Sequence, residues 1–274
     1  MTKPFAIRAL GLVAGLAASL ALVSPLSAGV GDLLVAPTRI VLNGGRGTEV
    51  ILKNIGSATA TYRVSAELRR MNPDGSLVEV KDASPEEKAA QDMVVFAPRK
   101  VTLPPNQPQA VRVSARAPQG LPDGEYRVHL LFRAIPDPTP VTAPAESHGL
   151  AFKLIPIYGV TIPVIVRLGN LEAKAGIADV RHVAANGKNA VTLQLSRDGT
   201  RSTYGEIRVM KAGVKQPVAL LKGVAVYKEL TTRKVVVPVD ADYKGSLTGQ
   251  VTVQYYEVTD NGATLAAETS ATLN

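Results

Sequence analysis

The sequence predicts an all-β protein built from two β-sandwich domains in tandem. Short runs of Val, Ile, Leu and Thr alternate with polar residues along most of the chain, which is the period-two pattern of strands. Turn-forming Gly, Pro, Asn and Asp separate these runs, as at 43–45, 72–75 and 122–124. The pattern then restarts after Arg167 with a second set of strands. Many short strands at this spacing are typical of sandwiches.

The strand pattern divides the chain into two parts that join near Leu168 to Ala173. The predicted strands of the first part are 33–42, 48–55, 59–68, 109–116 and 125–135, and those of the second are 190–197, 204–211, 223–230, 233–239 and 250–258. We expect domains at 29–168 and 169–274, each of ordinary domain size. The predicted helix is 85–93, since it opens with Pro85 and has Glu86 and Glu87 in its first turn.

Residues 1–28 have the three parts of a secretory signal peptide. Lys3 and Arg8 give the basic start, Ala9 to Val23 is the apolar run, and Ser27-Ala28 are small residues suited to cleavage. The run is shorter than the about 20 apolar residues that a spanning helix needs. We therefore expect an exported protein with a cleaved leader and no membrane insertion.

Composition limits the classes of partner. The chain carries 31 Lys and Arg against 23 Asp and Glu, a formal net charge of +8, which falls to about +6 when Lys3 and Arg8 leave with the leader. These charges are scattered, which favours a solvated surface over a nucleic-acid arm, so no nucleic-acid partner is expected. The chain has no cysteine, and a chain of this size can bury an adequate core without disulfides.

The sequence carries no catalytic or cofactor motif. His129, His148 and His182 are not spaced as metal ligands. The glycines at 44–47 lack the Lys-Ser/Thr and the helix of a phosphate loop, so a hairpin turn is favoured there. No serine stands in a nucleophile elbow. We expect neither an enzyme, nor a metal, nor a cofactor.

The segment 149–167 is the most informative part of the chain. It alternates as a strand, is apolar on both faces, and follows a Pro-rich tract at 136–146 that predicts a loop. Pro156 and Pro163 cannot donate to a ladder, which confines such a strand to a sheet edge. Because a long apolar edge is an aggregation hazard, we expect another chain to pair with it.

The two prolines also make a regular strand improbable from sequence alone. Pro156 and Pro163 have opposite parity, so in an unbroken strand their nitrogens would face opposite edges. One of them would then interrupt pairing inside the protein's own sheet. We therefore expect a bulge or a sheet switch near Gly159.

Several stretches, taken in order, resemble the periplasmic chaperones of the chaperone–usher pilus pathway, which have two immunoglobulin-like sandwiches. The stretches are PTRIV at 37–41, LPPNQPQAVRV at 103–113 and GEYRVHLLFRAIP at 124–136. The likeness covers nearly all of the mature chain. It implies a periplasmic binding protein that receives pilin-like subunits and delivers them to an outer-membrane usher.

In this family, the resemblance implies, an apolar edge strand is lent to a subunit that lacks one strand. Main-chain hydrogen bonds would give affinity, and alternate side chains would fill the subunit's groove. The groove-filling residues implied here are Leu150, Phe152, Leu154, Tyr158 and Val160. Self-association through the same strand is a further expectation for the free protein.

The resemblance also implies a cleft that binds the subunit's C-terminal carboxylate. Arg39 matches the family's arginine, whose planar fork suits a carboxylate. The family's second anchor is a lysine, but Pro163 stands at that position here. Arg112 or Lys153 could compensate, so the second anchor stays open, with Arg39 and Arg112 as the expected pair.

The last implied feature is an interdomain ion network of Glu125, Arg167 and Asp260, which would set the angle between the sandwiches. The alternative function is an exported immunoglobulin-like protein used in adhesion or envelope architecture. Neighbouring genes for an usher-like barrel and small exported β-subunits would distinguish the two.

Overall fold

The computed structural model describes residues 32–44, 47–136, 156–185 and 187–274. The predicted all-β fold of two immunoglobulin-like β-sandwiches is confirmed: the described chain contains eighteen strands and one helix. The predicted leader, 1–28, lies outside the described residues. Within the described part, no helix is both long and apolar enough to cross a bilayer.

The first sandwich packs a four-stranded sheet, β1-β3-β9-β7, on a five-stranded sheet, β2-β11-β10-β4-β8. Alternate residues of its strands are buried, as the period-two pattern predicts. Its elements are β1 (Leu33–Ala36), β2 (Ile40–Asn43), β3 (Thr48–Asn54), β4 (Ala60–Glu67), β5 (Arg69–Met71), β6 (Leu77–Glu79), α1 (Pro85–Met93), β7 (Val94–Ala97), β8 (Lys100–Leu103), β9 (Pro108–Ala115), β10 (Gly124–Ile135) and β11 (Gly159–Leu168).

The predicted strand 33–42 is two strands in two different sheets. β1 pairs with β3, whereas β2 pairs with β11 in parallel. Pro37 lies between them and has no N–H to donate, so the ladder stops and the chain crosses to the other sheet. This crossing carries Arg39 to the outer face of the five-stranded sheet, one residue before β2.

The helix α1 has the predicted bounds. Ser84 caps it in a capping box, because its side chain accepts from Glu87 N while the Glu87 carboxylate accepts from Ser84 N at 2.8 Å. Ala90 and Met93 are its buried residues and pack into the first core. The hydrogen bonds from Arg70 and the Ser84 backbone outweigh burial and lower the pKa of Glu87 to about 2.

The second sandwich packs a three-stranded sheet, β12-β13-β16, on a four-stranded sheet, β15-β14-β17-β18. Its strands are β12 (Ala173–Ala185), β13 (Lys188–Gly199), β14 (Thr203–Lys211), β15 (Ala219–Val226), β16 (Thr232–Pro238), β17 (Gly249–Thr259) and β18 (Gly262–Leu273). The predicted strand 223–230 ends early, because Tyr227 to Leu230 form a turn, with Leu230 N donating to Tyr227 O at 2.9 Å. That turn packs on the first sandwich.

The two sandwiches share a small apolar cluster of their own. Met71 and Ile165 of the first sandwich are buried against Ala225 and Tyr227 of the second. The β5–β6 hairpin extends this contact, since Lys234 N donates to Pro73 O at 2.7 Å. The interface therefore has a fixed apolar centre, and the polar groups around it form the candidate site.

Candidate functional site

Arg39 lies at the interface between the sandwiches with an unused hydrogen-bonding nitrogen. Its guanidinium carbon lies 4.5 Å from the centre of the Tyr204 ring, which belongs to β14 of the second sandwich. Its Nη1 is buried and has no hydrogen-bond partner among the described residues. Burial lowers the pKa of Arg39, although an arginine stays charged at neutral pH. The site is therefore a partly desolvated positive charge with one donor that no described residue accepts from.

The nearby carboxylate, Glu125, is already committed to other groups. Its side chain is 1% exposed and accepts from Arg167 Nε at 3.0 Å. Ser202 N, immediately before β14 of the second sandwich, donates to both of its oxygens at 3.1 Å. Glu125 thus joins the two sandwiches, and it forms no salt bridge with Arg39.

The structure brings Glu125 and Arg167 together but not Asp260. Asp260 is exposed in the turn between β17 and β18 and forms no ion pair among the described residues. The acid that reaches this region is Glu257, which pairs with Arg201. The reason is register: Glu257 lies opposite Gly205 on β14, close to Arg201, whereas Asp260 is beyond the end of the strand. Sequence spacing alone does not reveal that register.

A second interdomain ion pair was not predicted. Arg127 donates to Glu229 at 2.6 and 3.0 Å, and Met71 N donates to the same carboxylate at 2.8 Å. Burial is the largest single influence and acts to raise the pKa of Glu229, but the hydrogen bonds and charge of Arg127, together with the hydrogen bond from Met71 N, outweigh it and lower that pKa. Arg127 also stacks 3.7 Å from the centre of the Tyr227 ring. The period-two pattern of β10 could have pointed to Arg127 as an interface residue, since Glu125 and Arg127 share one face of that strand.

Arg112 lies on the other sheet of the first sandwich. Its side chain is 85% exposed and pairs with Glu49 at 3.2 Å across β3 and β9. Arg39 instead lies against the second sandwich, so the structure does not bring the two expected anchor residues together. The sequence pattern placed Arg112 on a strand but could not show which sheet that strand joins. Lys153, the other alternative, lies outside the described residues.

β11 has a free edge over its first half. Ala134 N donates to Tyr158 O at 2.9 Å, so the even-numbered residues of β11 form the hydrogen-bonded pairs with β10. The odd-numbered residues turn their backbone groups to the opposite edge. There β2 covers Val164 to Arg167, and residues 159–163 have no strand partner within the described chain. A further strand could pair at this edge.

The prolines fit without the predicted irregularity inside β11. The β10–β11 register runs without a shift from Gly159 to Leu168. Pro163 is odd-numbered, so its nitrogen faces away from β10 and lies just before the pairing with β2 begins. Pro156 precedes the strand. Neither proline therefore removes a hydrogen bond between β11 and β10. Residues 150–155, in the first part of the expected strand, lie outside the described residues.

Two of the five predicted groove-filling residues can be located. Tyr158 is 56% exposed and its neighbour Ile157 is 46% exposed. Val160 instead packs against the core of its own sandwich, because it lies opposite the buried Phe132. Val160 is therefore not free to fill a partner's groove. Leu150, Phe152 and Leu154 lie outside the described residues.

His129 is a buried group in this interface that no sequence pattern predicts. It is 1% exposed, lies opposite Pro163, and neither ring nitrogen has a hydrogen-bond partner among the described residues. Its ring meets Tyr227 edge-on with centroids 6.4 Å apart. Burial, followed by the charges of Arg127, Arg69 and Arg39, lowers its pKa to about 3. In the described chain, no three His, Cys, Asp or Glu residues are grouped to hold a metal.

Comparisons with known proteins give three findings. A family model described as an Fn3-like domain matches residues 45–131, inside the first sandwich. Among solved structures, the chain is similar to the YadV chaperone and the Pseudomonas aeruginosa CupB2 chaperone, each with 14% identity over 88% of this chain and 100% of the other, at a TM-score of 0.46. It is also similar to the E. coli chaperone DraB, with 17% identity over 90% of this chain and 98% of that one, at a TM-score of 0.45. No curated protein matches the chain.

Proposed function

We propose that this protein is a periplasmic chaperone that binds pilin-like subunits by adding a strand to them and passes them to an outer-membrane usher. The observation that carries the proposal is that the β11 edge, which no described strand covers at residues 159–163, lies beside Arg39, whose Nη1 no described residue accepts from. Proteins that offer a free strand edge bind extended peptides through main-chain hydrogen bonds. A charged donor at one end of that edge could bind the terminal carboxylate of the peptide and so set its position along the edge.

The geometry supports one direction for the bound strand. Arg39 immediately precedes Ile40, which lies opposite Val164 at the point where β2 begins to cover β11. Arg39 is therefore at the C-terminal end of the free edge. A strand that ran beside residues 159–163 and ended with its carboxylate at Arg39 would lie parallel to β11, as β2 does.

The chemistry of Arg39 supports a carboxylate as the group bound. Its Nη1 is already desolvated and has no partner among the residues that the structure describes, so a carboxylate would satisfy a donor that those residues leave unused. Pro163 supplies no second charge, and its cross-strand neighbour His129 is neutral at pH 7. We propose that the Arg39 guanidinium, held against Tyr204, is the charged part of this anchor on its own.

The first test measures binding of a synthetic peptide with the C-terminal sequence of the cognate subunit, as the free acid and as the amide. A hydrogen bond to a charged group is worth about 1.5–3 kcal/mol, so the acid should bind at least about tenfold more tightly. Arg39→Ala should remove that difference. Arg112→Ala is the matched control, since it removes an exposed arginine from the other sheet, and it should bind as the wild type does.

A second test addresses the edge strand. The chain is co-expressed with the subunit, and Tyr158→Asp is compared with Val160→Ala. Tyr158→Asp should reduce the amount of soluble complex, whereas Val160→Ala, at a partly buried residue that packs against the core, should act through the stability of the free protein. Equal binding of acid and amide, together with an unaffected complex in Tyr158→Asp, would contradict the proposal. A dimer of the free protein that the subunit does not dissociate would favour self-association instead.

A further inference from the structure

Three cations form one row across the outer face of the five-stranded sheet. Lys100 on β8 lies directly opposite Arg63 on β4, and Arg63 lies directly opposite Arg133 on β10. All three side chains are exposed, whereas the next residues along each strand, Val101, Val64 and Phe132, are buried. Side chains opposite each other on one face are about 4.5–5.5 Å apart at Cβ. The row is therefore a compact band of positive charge.

No acid of the described chain neutralises the row. None of the three cations forms a salt bridge with a described residue. The adjacent outward positions hold Ser65 and Thr61, which are uncharged. Glu67 lies four residues along β4 from Arg63 and is already paired with Arg69 at 2.8 Å.

A groove beside the row extends the same charge. It has a volume of about 600 Å³ and includes Arg63, Arg99 and Asp92 in its lining. Arg99 stacks 4.9 Å from the centre of the Phe96 ring, which holds its guanidinium at the surface. The lining holds two arginines against the single acid Asp92, so the groove is net positive.

We propose that this row is a docking surface for acidic residues of the polypeptide that pairs with β11. Like charges directly opposite on a sheet destabilise it, so the row lowers the stability of the free protein unless a partner neutralises it. The row also lies next to the strand edge where the partner would pair, because Arg133 is opposite Gly159, at which the uncovered edge of β11 begins. The inference rests on the proposed function and adds to it that the subunit presents acidic side chains beside its paired strand.

The first experiment uses labelled poly-L-glutamate as an acidic polypeptide probe, with binding followed by fluorescence anisotropy at low ionic strength. The double variant Arg63→Gln/Arg133→Gln should bind about tenfold more weakly than the wild type. The control Lys174→Gln/Lys188→Gln removes two exposed cations from the second sandwich, so it changes net charge equally and should differ less than twofold. An equal loss of affinity for poly-L-glutamate in both double variants would show that binding depends only on net charge and would overturn the proposal.

The second experiment measures the association rate with the co-expressed, purified subunit as a function of salt. The double variant should associate about tenfold more slowly at low salt and at the wild-type rate at high salt, because charges at the rim of an interface act mainly on association. A double variant that associates as fast as the control at low salt overturns this inference alone. A wild type that does not bind the subunit contradicts the proposed function instead.

The third measurement is the thermal stability of the free protein. Removing a repulsive row should raise the unfolding midpoint of Arg63→Gln/Arg133→Gln above that of the wild type. A lower midpoint would mean that the arginines are neutralised within the chain itself, which would overturn the proposal. If the row is a binding surface, the double variant should bind poly-L-glutamate more weakly and the free variant should unfold at a higher temperature than the wild type.

Discussion

The burial of His129 predicts that the protein loses stability between pH 7 and pH 5 through one residue. The folded-state pKa is about 3, against 6.5 for an ordinary histidine. Because the folded-state value is the lower one, the unfolded chain takes up the proton first. Unfolding is therefore favoured progressively as the pH falls below 6.5, and the loss levels off below about pH 3.

The size of the effect follows from the same two pKa values. Each pH unit between them is worth about 1.4 kcal/mol, so the free energy of unfolding should fall by about 2 kcal/mol at pH 5. The full loss, near pH 3, would be about 5 kcal/mol. The physical cause is the cost of placing a charge on a ring that lies against Tyr227, has no hydrogen-bond acceptor in the described chain, and is close to three arginines.

The assay is urea unfolding followed by circular dichroism at several pH values from 7 to 5, since the chain has no tryptophan. His129→Leu removes the titrating ring and should abolish most of the pH dependence of the free energy of unfolding. His182→Gln is the control, because His182 is exposed on β12 and hydrogen-bonds Asn189. A wild type and a His129→Leu variant with parallel stability curves over this range would refute the reasoning.

Four further outcomes are expected. Glu125→Leu should lower the free energy of unfolding by about 3 kcal/mol, because it leaves Arg167 and Ser202 N without their acceptor, and urea unfolding would detect it. Tyr204→Leu should weaken subunit binding several-fold by removing a cation–π contact worth about 0.5–2 kcal/mol, whereas Tyr204→Phe should bind normally in the same titration. Phe132→Ala should cost about 3–5 kcal/mol in the first core, against little for exposed Val95→Ala. Glu87→Ala should cost about 1 kcal/mol at pH 7 through loss of the capping box, and the difference should shrink as the pH falls from 4.5 toward 2, where the wild-type carboxylate is protonated.

The elements that sequence patterns predicted well are those whose signal is local. The helix α1 begins at Pro85 and ends at Met93 as predicted, because proline and acids suit a first turn and Ser84 can cap it. The predicted strands near β3, β4, β9 and β10 agree to within about two residues, as expected where alternation is regular. By contrast, the stretch 33–42 divides at Pro37, and only the assembled sheets show where each half pairs.

The candidate site was harder to predict because it is made by two sandwiches that meet. The resemblance pointed to Arg39, Glu125 and Arg167, all on one face of a single sheet. The partners that complete their surroundings are Tyr204 on β14 of the second sandwich and Ser202 just before that strand, and nothing local to the sequence marks them. Asp260 was a wrong expectation for the same reason, since strand register across β14 and β17 selects Glu257.

Local sequence patterns were enough to predict that the chain is all-β and forms two sandwiches, and that the residues leading into β11 are apolar and interrupted by prolines. These features depend on side-chain periodicity and on the missing N–H of proline, which act over a few residues. Only the packed structure shows which edge of β11 has no partner among the described residues, that Arg39 faces the second sandwich without an acid from the described chain, and that Arg63, Lys100 and Arg133 share one row. Those outcomes depend on strand order and register, which join residues far apart in the chain and are fixed only when the whole core is packed.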